Sequence, residues 1–221
     1  MTASALALAT TVSAAPYGLL QISSGGTGVR VSAAAIDWLP LGGGQGTMVT
    51  DAGTDVTYVG GSMTGGGHAG TILDLPPEPS PGFMTFAGFP LVFDLTALGP
   101  GSGVDCGGPG SFVTSGSCSF AGSPFILTVI DEDTTFVGLG ASGVVTEGAG
   151  YSTWDGSFST QVQLGIGEIY QAIYGGGIGY IQSSYSGEFD VLITPVPEPA
   201  SMALLGLGLA AAAVGLRRRR Q

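Results

Sequence analysis

Three neighbouring acids, Asp131-Glu132-Asp133, form the densest carboxylate group in the sequence. Clustered carboxylate oxygens are the donors that a hard cation such as Ca²⁺ takes, and Asp105 or Asp155 could share in such a site. Their spacing does not fit an EF-hand loop, so a weak metal reading stands beside a plain one, a polar hairpin tip between two strand-like runs. His68 is the only histidine and lies in Gly65-Gly66-Gly67-His68-Ala69-Gly70. A lone imidazole in such a loop reads as solvated before it reads as catalytic. Gly138-Leu139-Gly140-Ala141-Ser142-Gly143 matches GxGxxG, but Val144-Val145-Thr146 follows in place of a helix start. No helix N-terminus is then on offer to a pyrophosphate. Cys106 and Cys118 are the only cysteines. In an exported chain such a pair reads as one disulfide, closing a glycine-rich loop; a redox or metal pair would want a CxxC or a nearby His. Trp38, Tyr151, Trp154, Tyr174, Tyr180 and Tyr185 are read first as core packing and second as a carbohydrate-stacking face.

Composition excludes more chemistry than it suggests. The 221 residues carry 16 acids and five cations, all Arg, for a net charge of -11. Without Lys there is no Schiff-base enzyme and no P-loop lysine. A single His argues against His-based metal sites and against a Ser-His-Asp triad. A pI near 4.1 argues against nucleic acid as a partner. Fifteen acids lie in residues 15–194, against Arg30 alone, so a chance carboxylate pair of the glycosidase kind stays open. The reading is of a non-enzyme with no cofactor, Ca²⁺ being the one ion left in play.

The elements that must position these residues read as strands. Gly numbers 41 and Pro 13, while 44% of the chain is hydrophobic and 19 residues are aromatic. That is too much apolar material for a disordered tail. Short runs rich in Val, Ile, Thr, Phe and Tyr recur between glycine-rich turns, among them Val29–Ile36, Phe125–Ile130, Gly156–Leu164, Ile169–Ile173, Ile178–Ser184 and Glu188–Thr194. Phe189, Val191 and Ile193 alternate with Glu188, Asp190 and Leu192. The expectation is an all-β body over residues 15–194, an antiparallel β-sandwich of jelly-roll type. Leu75-Pro76-Pro77-Glu78-Pro79-Ser80-Pro81-Gly82 reads as a connector between its two halves.

The two ends of the chain read as addresses. Residues 1–14, MTASALALATTVSA, carry an apolar run and small residues before a cut after Ala14, the pattern of a signal peptide without its basic front; the alternative is an apolar N-terminal strand. At the other end, Pro195-Val196-Pro197-Glu198-Pro199 precedes the uncharged run Ala200–Leu216 and then Arg217-Arg218-Arg219-Arg220. As a helix the apolar run would span roughly 25 Å, slightly under a hydrocarbon core of about 30 Å. The four arginines hold the tail on the cytoplasmic side, which places the body outside it. The prolines lock φ and remove donors, so this segment stays extended and free to enter a protease groove, with Glu198 as the one charge to select.

This order of parts over residues 195–221 resembles the PEP-CTERM sorting signal of Gram-negative bacteria. The resemblance implies that an exosortase recognises Pro197, Glu198 and Pro199 and removes the transmembrane helix. The chain would be anchored transiently in the inner membrane, then released to the cell surface or an exopolysaccharide matrix. Segments such as Trp154–Gln161 and Tyr185–Phe189 look like the bodies of other proteins of this kind, which transfers no active site. A structural or adhesive surface role is the first expectation; a carbohydrate- or Ca²⁺-binding module on the same scaffold is the alternative.

Overall fold

Alternating apolar and polar residues make most of the chain extended, and the computed structural model describes residues 15–193 apart from 34, 41, 42, 77 and 149. The expected leader at 1–14 lies outside the described residues. So do Pro197, Glu198, Pro199, the expected helix Ala200–Leu216 and Arg217–Arg220. Among the described residues no helix is long and apolar enough to cross a membrane.

The strands are β1 (Tyr17–Ser23), β2 (Val29–Ser32), β3 (Ile36–Trp38), β4 (Gln45–Thr50), β5 (Asp55–Tyr58), β6 (Gly61–Thr64), β7 (Ala69–Leu73) and β8 (Ser80–Phe86). They continue with β9 (Val92–Leu98), β10 (Gly116–Cys118), β11 (Phe125–Asp131), β12 (Thr134–Glu147), β13 (Gly150–Val162), β14 (Tyr180–Ser183) and β15 (Ser186–Leu192). A single helix, α1, spans Ile166–Ile173 among the described residues.

The body is all-β as expected, but it is a closed barrel and not a sandwich. Eight antiparallel strands run β12-β13-β15-β1-β4-β7-β8-β9, and β9 pairs back to β12 from Val92↔Thr146 to Leu98↔Ala141. The length of β12 makes this possible. Its first half pairs with β11, from Phe125↔Leu139 to Asp131↔Thr134, and its second half with β9. One 14-residue strand therefore belongs to the barrel and to an extension beyond it. Sandwich and barrel strands alternate alike, so the pattern alone does not separate them.

An eight-stranded barrel is just wide enough for side chains to fill its interior. Here aromatic rings do so in a chain of tilted and edge contacts: Trp38 to Phe158 (4.9 Å), Phe158 to Phe189 (4.9 Å), Phe189 to Trp154 (5.4 Å) and Trp154 to Phe93 (6.3 Å). The inward set of β15, Phe189 and Val191, is buried, while Glu188, Asp190 and Leu192 face out. Trp38 enters from a separate three-stranded sheet, β14-β2-β3, at the end of the barrel near Tyr185. Val29–Ile36 is thus two strands of that sheet and not one.

Ile169–Ile173, expected as a strand, is the second half of α1. Ile166 and Ile169, three residues apart, fall on one helical face and are its buried residues. They join a second apolar cluster with Cys106, Cys118, Phe120, Leu127 and Val162. An eight-residue helix is too short for its period to stand out from a strand's in sequence. The proline-rich segment 75–82 is no linker between halves: it joins β7 to β8, adjacent barrel strands, and Ser80–Gly82 already belong to β8.

Candidate functional site

The structure separates the residues that the sequence offered for chemistry. Asp131 ends β11, and the Asp133 N–H donates to its Oδ1 at 3.0 Å, which makes Asp131–Asp133 a hairpin turn. That turn borders a groove shared with Gly165–Glu168 at the start of α1. There the Glu168 carboxylate already accepts the Gly165 N–H at 3.0 Å. Among the described residues no three His, Cys, Asp or Glu side chains are grouped to hold a metal ion. His68 is tied down by Thr64 O at 3.0 Å from its Nε2 and by the Phe89 ring at 4.8 Å.

The GxGxxG glycines lie inside β12, where they serve packing. A Cβ on Gly143 would stand 1.9 Å from the Asp94 carbonyl oxygen and 2.7 Å from the Trp154 ring. Gly140 faces Gly99, whose N–H donates to its carbonyl at 2.7 Å. Trp154 lies within β13, and its indole N–H donates to Asp94 O at 3.1 Å.

The aromatic set divides as well. Trp38, Trp154 and Tyr185 are core. Tyr180 lies under the Arg30 guanidinium at 4.6 Å, while Tyr151 and Tyr174 are exposed in different parts of the molecule. They make no common stacking face. Burial pushes the Tyr185 phenol well above its ordinary value, and its hydroxyl donates to Thr47 O at 3.2 Å.

Cys106 and Cys118 are joined as a disulfide, as expected. It packs with Phe120, Leu127 and Ile169, which also line an apolar cavity of about 200 Å³ between the three-stranded sheet, α1 and the face of β11 and β12. Val29, Phe120, Phe125, Leu127, Ile169 and Ile181 supply much of its wall. The Thr160 and Ser183 hydroxyls, also in the wall, hydrogen-bond each other at 2.7 Å. Burial raises the Tyr174 phenol at this site, with Tyr170 adding to the effect. Sequence reasoning missed the cavity because its wall comes from many separate segments, none with a local signal.

The remaining feature is the end of the barrel from which the C-terminal segment departs. β15 ends at Leu192. β1 begins beside it, since Gly18 pairs with Val191. The turn between β12 and β13 lies at the same end, since Thr153 pairs with Leu192 and Glu147 with Gly150. So does the β5–β6 hairpin, since Tyr17 pairs with Thr57. Glu147 ties two of these turns together by accepting the Val59 N–H at 2.6 Å, and the Ser152 hydroxyl donates to the Pro16 carbonyl. β10, β11, α1 and the three-stranded sheet attach away from this end, whereas the β5–β6 hairpin is added to the barrel at it.

Residues 195–220 match the family model of the PEP-CTERM protein-sorting motif. No curated protein and no solved structure matches the chain.

Proposed function

We propose that this chain, which carries a PEP-CTERM protein-sorting motif at residues 195–220, is a structural or adhesive protein of the outer cell surface. The motif itself denotes export, a membrane-anchored sorting step and processing by an exosortase. Release into an exopolysaccharide-rich matrix and a non-catalytic body are the further parts of the proposal. Three features support it: a barrel whose interior is filled with aromatic side chains, a disulfide of the kind that persists outside the cytoplasm, and an acidic body that keeps an extracellular protein soluble. The sorting motif carries the reading. Glu198→Ala, or removal of the host's exosortase, is expected to leave the chain uncleaved in the inner membrane. Unchanged processing and surface delivery in both cases would refute it.

A ligand-binding module on the same scaffold is the second reading, and the cavity beside α1 favours it. A largely apolar wall, in which the Thr160 and Ser183 hydroxyls already pair with each other, suits a hydrocarbon or aromatic ligand better than a sugar or Ca²⁺. Calorimetry with a medium-chain fatty acid, with Ca²⁺ and with the host polysaccharide distinguishes these, and heat from none of them rejects the module.

A further inference from the structure

The end of the barrel that bears the sorting segment differs from the rest of the surface in two independent ways. Of the nine large apolar side chains exposed among the described residues, five lie there: Tyr17, Val59, Tyr151, Leu192 and Ile193, each about half exposed. The segments that form this end (15–17, 58–61, 87–91, 146–152 and 192–193) hold one acid, Glu147, of the fifteen in residues 15–194. That carboxylate is already engaged by the Val59 N–H. An otherwise strongly acidic body thus has one greasy edge with a single acid, next to the sorting motif, and its acids resume two residues below it at the exposed Asp55 and Asp190, which both pair with Leu19.

Chain length fixes how far this rim can stand from the membrane. From Ile193 to Pro197 is four residues, at most about 14 Å of extended chain, and to Ala200 seven residues, at most about 25 Å. The polar layer of a bilayer is about 5–7 Å thick on each side. While the chain is anchored, Ile193 is therefore held within about 25 Å of Ala200, which keeps this end the nearest part of the barrel's attachment to the lipid. Tyrosines and aliphatic side chains on a charge-poor surface are the composition that settles at a membrane–water interface. An acidic surface would instead be repelled by anionic lipid.

The geometry points to the rim formed by Tyr17, Val59, Tyr151, Leu192 and Ile193 as a lipid-docking surface. During the anchored stage it seats the barrel upright on the membrane and presents residues 197–199 at the headgroup level for processing. This inference rests on the anchored sorting step named above, and the test separates the two.

The full chain is reconstituted in vesicles of phosphatidylethanolamine and phosphatidylglycerol, with a nitroxide at Val59→Cys, Tyr151→Cys, Gln45→Cys or Ala210→Cys in turn. Labels at 59, 151 and 210 are expected to be more accessible to oxygen than to a water-soluble nickel complex. The label at 45, at the far end of the barrel, should show the reverse. Aqueous behaviour at 59 and 151 with a lipid-exposed 210 overturns the docking surface and leaves the anchor standing. Aqueous behaviour at 210 as well removes the anchor and the proposal together. Shielding of 59 and 151 only once exosortase is added also overturns it, and assigns the rim to the enzyme. Hydrogen exchange of the unlabelled chain guards against misfolded variants. Amides of 58–61 must exchange more slowly in vesicles than in the tail-cleaved protein, and equal rates count against lipid docking.

Discussion

Gly143 and Trp154 show how single positions hold the barrel shut. They pair directly across β12 and β13, and the missing side chain of one is the space occupied by the ring of the other. Gly143→Ala would drive a methyl group into the Asp94 carbonyl and the indole, an overpacking expected to cost about 1–3 kcal/mol or more. Trp154→Ala should cost about 3–5 kcal/mol through the cavity it leaves. Urea denaturation followed by circular dichroism measures both; a change within about 0.5 kcal/mol, as for an ordinary surface position, would contradict this packing. Tyr185 gives the pH dependence. Its phenol titrates above the ordinary value of 10.0 because burial disfavours the phenolate. Between the unfolded and the folded value, the folded state keeps a proton that the unfolded state has lost. The contribution of Tyr185 is therefore fully present below pH 10 and falls above it, by about 1.4 kcal/mol per pH unit. Tyr185→Phe should flatten this alkaline slope in urea titrations. An unchanged slope would show that the phenol ionises freely in the folded barrel.

At the level of elements, the disulfide and α1 form one unit. Cys106 and Cys118 pack with Phe120, Leu127, Ile166 and Ile169, so the bond fastens a glycine-rich loop onto the helix and the outer half of the long β12 strand. With a sequence separation of 12, the chain-entropy model puts its contribution at about 3 kcal/mol. Reduction should lower the urea midpoint accordingly, and hydrogen exchange should rise first in residues 104–120 and α1. Uniform loosening of the barrel strands would instead mean that the two clusters unfold together. This region was the least legible in sequence. The cysteine pairing and the strand at Phe125–Ile130 were readable from spacing and β-propensity. The helix was not, because two isoleucines three residues apart fit a strand nearly as well. The β12 glycines match the GxGxxG pattern, set aside as a nucleotide loop for want of a following helix, because close approach of backbones and cradling of a phosphate both call for glycine. The barrel itself was hidden for a different reason. Closure depends on which strands β9 and β12 pair with, and the alternation of Phe189 and Val191 with Glu188 and Asp190 is the same in a sandwich.

Across the whole molecule, five of the nine large apolar side chains exposed among the described residues gather at one end, while Val104, Ile130, Tyr174 and Ile178 lie elsewhere. Acidic side chains cover the walls and the far end, and the rim with its single acid lies where the sorting motif begins. Replacing Tyr17, Val59 and Tyr151 by Ser should leave the melting temperature nearly unchanged, since surface positions away from the core shift stability by roughly 0.5 kcal/mol or less. It should slow cleavage of the tail in cells; unchanged cleavage kinetics would show that the rim takes no part in sorting. The sorting end was the most legible part of the chain. Pro-Glu-Pro, an apolar run and an arginine cluster are read by composition and order alone, without folding. The decisive measurement for exosortase processing is the intact mass of the native protein recovered from the host's surface. The expected species is a chain cut at or beside Pro197-Glu198-Pro199, lacking Ala200–Leu216 and the arginines. A surface protein whose mass still includes Arg220-Gln221 would contradict processing at this motif.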